Sequence, residues 1–588
     1  MRGPVKTSGD ALLRTATRHS AGRCLTLCLL TVASAGVGLL LPYVLGRTVD
    51  ALLAAHASGP GGPGHGDTGR WLLTTAALLG GLTLLDCCVD VLTGTTNART
   101  TAWLRRGLVR HVLAVGPGAT TRFPAGDLVA RLVGGTAQAG PAPATVAALA
   151  ATLALPVGAL VALGVIDPWL VAAFLAGAPA LALLLRTFAR ASSDCVTAYL
   201  NAQGSLATRL TEAIGGARTI AAARTADRET TRVLEPLPEL AHQGMRLWRV
   251  QGRASAGAVA LAPMLQIAVI ATAGLLLLRH RLSVGELLAA SRYAVLATGV
   301  GLLVGDISAL VRTRAAGQRL GDVLGEPVPP YGKARVPDGG GRLELRGVTA
   351  RRDGRTVLDR VDLTVPAGET LAVVGVSGAG KSLLAAIAGR LADPDDGTVL
   401  LDGTPLPELS RAELRAAIGY AFERPTLLGD TLADTIGLGP ADAAPERVLR
   451  AAEAAHADGF VRRLPEGYAT ACADAPLSGG EAQRLGLARA FAHGGRLLVL
   501  DDALSSLDTI TEREIAAALL RHAPGTTRLV VAHRATTAAR ASTVAWLDGG
   551  RVRALGPHAR LWRDPDYRAV FAGDSGGAET EAVGGGAA

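Results

Sequence analysis

The chain has 588 residues, 49% of them hydrophobic, with a mean hydropathy of +0.31 and a formal net charge of +9. That length allows several domains, and that hydropathy is high for a soluble protein. Six cysteines without a C-x-x-C pair suggest neither a disulfide framework nor a zinc site; buried free thiols are the simpler reading.

The apolar excess lies in the first half, in runs at roughly 24–46, 71–92, 143–165, 168–188, 254–279 and 285–311. Each is about long enough to cross a bilayer. The first follows a basic stretch (Arg2, Lys6, Arg14, Arg18, Arg23) but is too long for a signal peptide, so it reads as an anchor. Arginines crowd the N-terminus and the segments between runs two and three and between runs four and five, whereas runs three and four are joined by little more than Asp167-Pro168. By the positive-inside rule both termini are cytoplasmic. Basic loops facing anionic lipid then account for the net charge without nucleic acid.

The two long basic segments, about 93–142 and 189–253, read as helical continuations of the spans into the cytoplasm. Within the spans, Asp86 and Asp90 stand one turn apart on one face. Asp86 reads equally as a functional candidate and as a residue where the helix leaves the bilayer, and Asp90 reads as the cytoplasmic edge of its helix. Gln266 and Arg292 are weaker candidates, and Pro156, Pro179 and Pro263 are expected to kink their helices. His56 and His65 lie in a Gly-rich outer loop and read as solvated. A Pro/Gly-rich linker, Gly325 to Arg342, follows. Beyond it the apolar strands LELRGV, TLAVVG, TVLLDG, AIGYAF, RLLVLDD, TRLVVAH and STVAWLD alternate with helical runs, a parallel-rich α/β pattern. The tail after Phe571 has almost nothing to bury and is expected to be disordered.

Only three lysines occur in the chain, and one closes GVSGAGKS: Gly375, Val376, Ser377, Gly378, Ala379, Gly380, Lys381, Ser382. This is a phosphate-binding loop between a strand and a helix, with backbone N–H groups and Lys381 on the phosphates and the Ser382 hydroxyl on Mg²⁺. In RLLVLDD, a buried strand ends on Asp501, which can hold Mg²⁺ through water. LSGGEAQRLGLARA (Leu477 to Ala490) is a glycine turn that opens a helix.

Together these motifs resemble the ATP-binding cassette family, specifically an exporter-type half-transporter with fused membrane and nucleotide-binding domains. LSGGE resembles its signature, SSLD (Ser505 to Asp508) its D-loop, and His533 in VVAHR its switch histidine. PYVLGRTVDALL, GDLVARL (Gly126 to Leu132) and SVGELLAASRY (Ser283 to Tyr293) resemble exporter patterns in the membrane half. The resemblance implies an all-α six-helix transmembrane domain (1–320), a linker (321–342), an α/β P-loop cassette (343–572) and a tail (573–588). It further implies head-to-tail pairing of two cassettes, with Ser478, Gly479 and Gly480 facing the nucleotide held by the partner's loop, and closure coupled to alternating access.

The chain departs from the family pattern around its own nucleotide. Asp502 stands where the family has the water-polarising glutamate, and Glu423 aligns with the glutamine that meets Mg²⁺ and water. Arg352 stands about where a tyrosine stacks on adenine, Thr470 to Pro476 is short, and the signature ends in Glu481. With Lys381, Asp501 and His533 kept, the pattern points to a site that binds ATP and hydrolyses it slowly.

The expectation is therefore an ATP hydrolase coupled to transport, using ATP and Mg²⁺, in a bacterial inner membrane. It would be the degenerate-site subunit of a heterodimer, favoured over a homodimer, exporting a small amphipathic molecule or peptide. Two alternatives stay open: an exporter-fold importer of a metal chelate such as a siderophore, and a non-transporting, ATP-sensing membrane regulator. The spans exclude a soluble cassette ATPase of DNA repair.

Overall fold

The structure, a computed structural model, describes residues 9–58, 65–352, 354–439, 444–505, 507–522 and 525–572. The tail expected to be disordered lies outside them from residue 573 onward. The chain divides into two compact units, Met1–Val328 and Pro329–Ala588.

The first unit is helical. Its principal helices are α1 (Gly9–His19), α2 (Ala21–Ser58), α3 (His65–Val115), α4 (Ala142–Ile166), α5 (Pro168–Leu175), α6 (Ala178–Gly215), α7 (Leu237–Leu278), α8 (Val284–Ala297) and α9 (Val300–Leu324). Among the described residues, four helical stretches are long and apolar enough to cross a membrane: Ala21–His56, Thr68–Val115, Ala125–Ile166 and Ala226–Leu278. The fourth and sixth apolar runs do not stay in one helix, contrary to the simple reading of six unbroken spans. The fourth breaks between α5 and α6 at Ala176–Gly177, and the sixth between α8 and α9 at Thr298–Gly299.

Both breaks fall at glycine and are packed by α7. A Cβ on Gly177 would lie 2.4 Å from Leu265 Cδ2. Thr298 Oγ1 bonds back to the Ala294 carbonyl at 3.0 Å and accepts from Gln266 Nε2 at 2.9 Å. Freed backbone groups in an apolar setting need such neighbours. Gln266 thus braces a helix break. Pro156 and Pro263 lie inside α4 and α7, but Pro179 occupies the first turn of α6, where it starts a helix instead of kinking one.

Two of the three exporter-like patterns, PYVLGRTVDALL and SVGELLAASRY, meet each other. A Cβ on Gly285 would lie 2.1 Å from the Gly46 carbonyl, so α2 and α8 touch backbone to backbone. Asp50 fastens the same contact, accepting from Ser283 Oγ (2.7 Å) and from the Gly285 amide (2.8 Å). In GDLVARL, the Asp127 carboxylate accepts from Arg131 Nε (2.7 Å) and from Arg319 Nη2 of α9 (2.8 Å). Asp86 accepts from Ser34 Oγ at 2.6 Å, which ties α3 to α2; Asp90, Arg292 and His56 are exposed.

The second unit holds two sheets. LELRGV and TVLLDG, expected in a parallel sheet, lie in β1 (Leu343–Arg352) and β4 (Asp396–Leu401) of a separate antiparallel sheet. With β2 (Arg355–Val365) and β5 (Thr404–Pro405) its order is β2-β1-β4-β5. The short connection at Gly354 (φ 76°) lets β1 and β2 pair only antiparallel, and β4 adds antiparallel to the other side of β1. The other five predicted strands form the parallel sheet. It comprises β3 (Thr370–Val374), β6 (Ile418–Phe422), β7 (Leu497–Asp501), β8 (Thr527–Val531) and β9 (Thr543–Asp548), with β10 (Arg551–Gly556) as an antiparallel edge. The order is β10-β9-β3-β8-β7-β6. Leu343, Leu345, Leu358, Leu384 and Leu401 are fully buried in one core joining the two sheets.

Candidate functional site

Strand β8 lies between β3 and β7 in parallel register. The carboxyl ends of these neighbours therefore set the loop after β3, the Asp501–Asp502 pair after β7 and His533 after β8 along one edge. Ligands bind at this edge of open α/β sheets.

The loop Gly375–Gly380 runs from β3 into the helix Lys381–Ala388 (α10). Its back is packed: a Cβ on Gly375 would lie 2.4 Å from the Leu547 carbonyl, and one on Gly380 2.8 Å from Leu358 Cδ2. Its front is open at Gly378, whose φ of 83° is costly for any other residue. Lys381 is buried, and its ammonium donates to the carbonyls of Gly375 (2.7 Å) and Val376 (3.1 Å). The first amides of α10 and this charge make a cradle for an anion.

Asp501 ends β7. One of its carboxylate oxygens accepts from the Tyr420 hydroxyl at 3.4 Å; the other is buried without a hydrogen-bond partner. Burial pushes the Asp501 carboxyl above the usual range, against the pull of the Ser382 and Tyr420 hydroxyls. A buried, unsatisfied acceptor beside a serine hydroxyl and a phosphate cradle fits a divalent cation. Asp501 and Ser382 would hold Mg²⁺, which would neutralise phosphate charge there. Burial, then Asp501, pushes the Tyr420 hydroxyl far above its ordinary value, so it remains a donor.

Asp502 sits at φ 53°, a left-handed conformation in which aspartate is tolerated better than most residues. Its carboxylate is 3.9 Å from His533 Nε2, and burial raises its pKa while His533 pulls it down and Glu423 pushes it up. Glu423 follows β6 with its side chain half exposed; its carboxylate approaches Arg424 Nε at 3.5 Å and bears on the two aspartates through charge. Arg352, at the end of β1, is exposed and donates to the Arg351 carbonyl at 2.8 Å.

Ser478, Gly479 and Gly480 open the helix Gly479–His493 (α11), with Ser478 as its N-cap. The Ser478 hydroxyl and amide both donate to Glu481 Oε2 at 2.8 Å, and these bonds hold the Glu481 carboxyl below its ordinary value. Among the described residues no hydrogen bond joins this end of α11 to the phosphate loop. In SSLD, Ser506 lies outside the described residues; Asp508 caps the helix Thr509–His522 (α12), accepting from the Thr511 amide at 2.9 Å.

Three positioning elements escaped the sequence reading. Tyr420 is the first. Gln483, buried inside α11, donates to the carbonyls of Glu423 (3.1 Å) and Asp502 (3.2 Å), which ties the signature helix to both candidate catalytic segments. Glu512 of α12 is buried and pairs with Arg534 Nη1 at 2.6 Å, and Arg534 also donates to the Leu507 carbonyl at 3.2 Å. Asp502, Ser505, Glu512, His533 and Arg534 line a cavity of about 290 Å³. The signal for Gln483 and Glu512 was a polar residue on an apolar helix face; their partners are remote in sequence.

A phosphate-loop ATPase unit follows a helical membrane unit in one polypeptide, and the comparisons agree with that class. The ABC transporter family model matches residues 358–505, and the ABC transporter transmembrane region model matches residues 24–299. The ABC transporter ATP-binding protein RamA of Streptomyces coelicolor is 50% identical over 556 residues, covering 94% of this chain and 86% of that protein. An ATP-dependent lipid A-core flippase of Aromatoleum aromaticum is 37% identical over 300 residues, 48% of either chain. In fold, the chain matches a bacterial Atm1-family ABC exporter solved with ATP bound: the TM-score is 0.83 at 23% identity, over 95% of this chain and 99% of that one. The chain belongs to the ABC transporter family: a multi-pass membrane protein that couples ATP hydrolysis to transport, with the exporter-type fold. Its membrane region places it in the bilayer, and its cassette belongs to a family whose cassettes work in pairs.

Proposed function

We propose that this chain is the degenerate-site subunit of a heterodimeric exporter. It resides in a bacterial inner membrane with both termini cytoplasmic and moves a small amphipathic molecule or peptide outward. Its loop, Gly375 to Ser382, binds Mg²⁺–ATP, and Asp501 and Ser382 hold the ion. Ser478, Gly479 and Gly480 serve the nucleotide of the partner. The domain limits follow the sequence reading, 1–320, 321–342, 343–572 and 573–588.

The observation that carries the reading is Asp502. One methylene shorter than glutamate, its carboxylate stands roughly 1.5 Å further back, and misplacement of about 1 Å can cost on the order of a hundredfold in rate. Its neighbours do not compensate, because the Glu423 side chain turns toward Arg424 and Arg352 offers no aromatic ring. The substrate class draws support from the partial relatives named as ATP-dependent lipid A-core flippases.

Co-expression with a half-transporter that carries an intact glutamate tests the asymmetry. Replacing that glutamate should stop ATP turnover by the pair, whereas Asp502→Ala should barely slow it. Equal losses from the two substitutions would refute the degenerate-site reading.

A further inference from the structure

Helix α1 lies along α9 at very short range. A Cβ on Gly9 would fall 2.5 Å from the Gln318 backbone, and one on Gly317 3.0 Å from Leu13. Asp10 closes the contact, its two carboxylate oxygens accepting from Arg314 at 2.7 and 2.6 Å. Where α1 hands over to α2, these helices, the start of α4 and the middle of α9 leave an open cavity of about 690 Å³. Its size is that of a small-molecule site, roughly 300 to 1,000 Å³.

The walls are of two kinds. Leu13, Leu25, Cys28, Val146 and Leu310 make an apolar side, and Arg14 and Arg18 stand at its rim. These arginines are exposed, one helical turn apart, and form no ion pair among the described residues. Asp10, one turn earlier on the same face, is already engaged by Arg314. The cavity lies where α2 begins, at Ala21, the stretch that is long and apolar enough to cross a membrane; a short helix that precedes such a span can lie among lipid headgroups.

We propose that this cavity binds an anionic glycerophospholipid. The phosphate lies between Arg14 and Arg18, and an acyl chain runs along Leu25, Val146 and Leu310. A zwitterionic lipid offers the same tail but cancels its own charge at the arginines, so the site discriminates by headgroup. Such a lipid would join α1 to α2, α4 and α9, with a polar end in water and an apolar end in the bilayer.

The test uses the full-length protein in nanodiscs of phosphatidylglycerol and phosphatidylcholine. A photoactivatable phosphatidylglycerol serves as the crosslinker, and native mass spectrometry counts lipid retained after extraction. Phosphatidylglycerol should be retained over phosphatidylcholine and crosslink to peptides of α1, α2 and α4. Arg14→Gln with Arg18→Gln should lower retention about thirtyfold, each arginine contributing of order fivefold. Val146→Trp, which fills the apolar side and keeps the charge, should remove the crosslink. Undiminished labelling by an ATP analogue shows that each variant is folded.

Equal retention of the two lipids would overturn the proposal, and so would unchanged retention in the double variant. Displacement by inorganic phosphate would reduce the site to an anion site, and crosslinks confined to a partner chain would assign the cavity to that chain. Lipid retention is read without ATP turnover, so it stands apart from the degenerate-site reading.

Discussion

Lys381→Ala should remove ATP binding at this chain's own loop. The ammonium is buried against the Gly375 and Val376 carbonyls, so it is already positioned across the loop before phosphates arrive. A hydrogen bond to a charged group contributes about 1.5 to 3 kcal/mol. Two lost phosphate contacts therefore weaken ATP by about 3 to 6 kcal/mol, on the order of 10² to 10⁴ in Kd. Alanine also leaves two loop carbonyls without this donor, so some loss could come from a distorted loop. Lys381→Met keeps the aliphatic stem in place and removes only the charge. The two variants should lose binding to the same extent if the charge is what matters. Lys381→Arg should fail as well, because a planar fork does not fit a buried position shaped for a compact ammonium. The assay is photolabelling of the full-length chain with an ATP analogue, titrated to obtain Kd. Labelling by Lys381→Met within threefold of wild type would refute this reasoning and place the nucleotide elsewhere.

The remaining tests probe other parts of the structure. Asp501→Asn should abolish the Mg²⁺ dependence of nucleotide binding, measured by titration in chelator and in excess Mg²⁺. The same change should stabilise the nucleotide-free cassette. With its folded pKa above the unfolded one, Asp501 binds its proton more tightly when folded, so stability falls as pH rises from the ordinary carboxylate range through the raised value. The variant should lack that part of the fall, and its melting temperature at neutral pH should be higher than that of the wild type. Ser478→Arg should suppress ATP turnover of the assembled pair while leaving nucleotide binding to this chain intact; unchanged turnover would contradict head-to-tail pairing. Gly285→Ala, whose methyl would fall 2.1 Å from the Gly46 carbonyl, should destabilise the helical unit by about 1 to 3 kcal/mol, read as a lower melting temperature in detergent.

Local patterns carried most of the reading. The phosphate loop, the strand ending on Asp501, the turn at Ser478 and His533 are short runs whose residue types follow from chemistry within a few residues. Parallel pairing of β3, β7 and β8 then brings the first, second and last to one edge. What could not be read is what depends on distant partners. β1 and β4 look like any apolar strands, and only the pairing of β1 with β2 and of β4 with β1 sends them to another sheet. The breaks at Gly177 and Thr298 lie in apolar runs, and the side chains that pack them, Leu265 and Gln266, come from α7. Tyr420, Gln483 and the Glu512–Arg534 pair are ordinary residues until the fold sets them beside Asp501 and Asp502. Hydropathy places Pro179 inside a span, but the chain breaks just before it and the proline begins the next helix.

The most direct test of the proposed function is steady-state ATP hydrolysis by this chain alone in nanodiscs. A general base contributes about 10² to 10⁴ in rate. With Asp502 held at φ 53° and its carboxylate set back, turnover should be slower than that of a glutamate-bearing half-transporter by a factor in that range, and Asp502→Ala should change it little. Brisk turnover that Asp502→Ala abolishes would contradict the account and make aspartate a competent base in a homodimeric transporter.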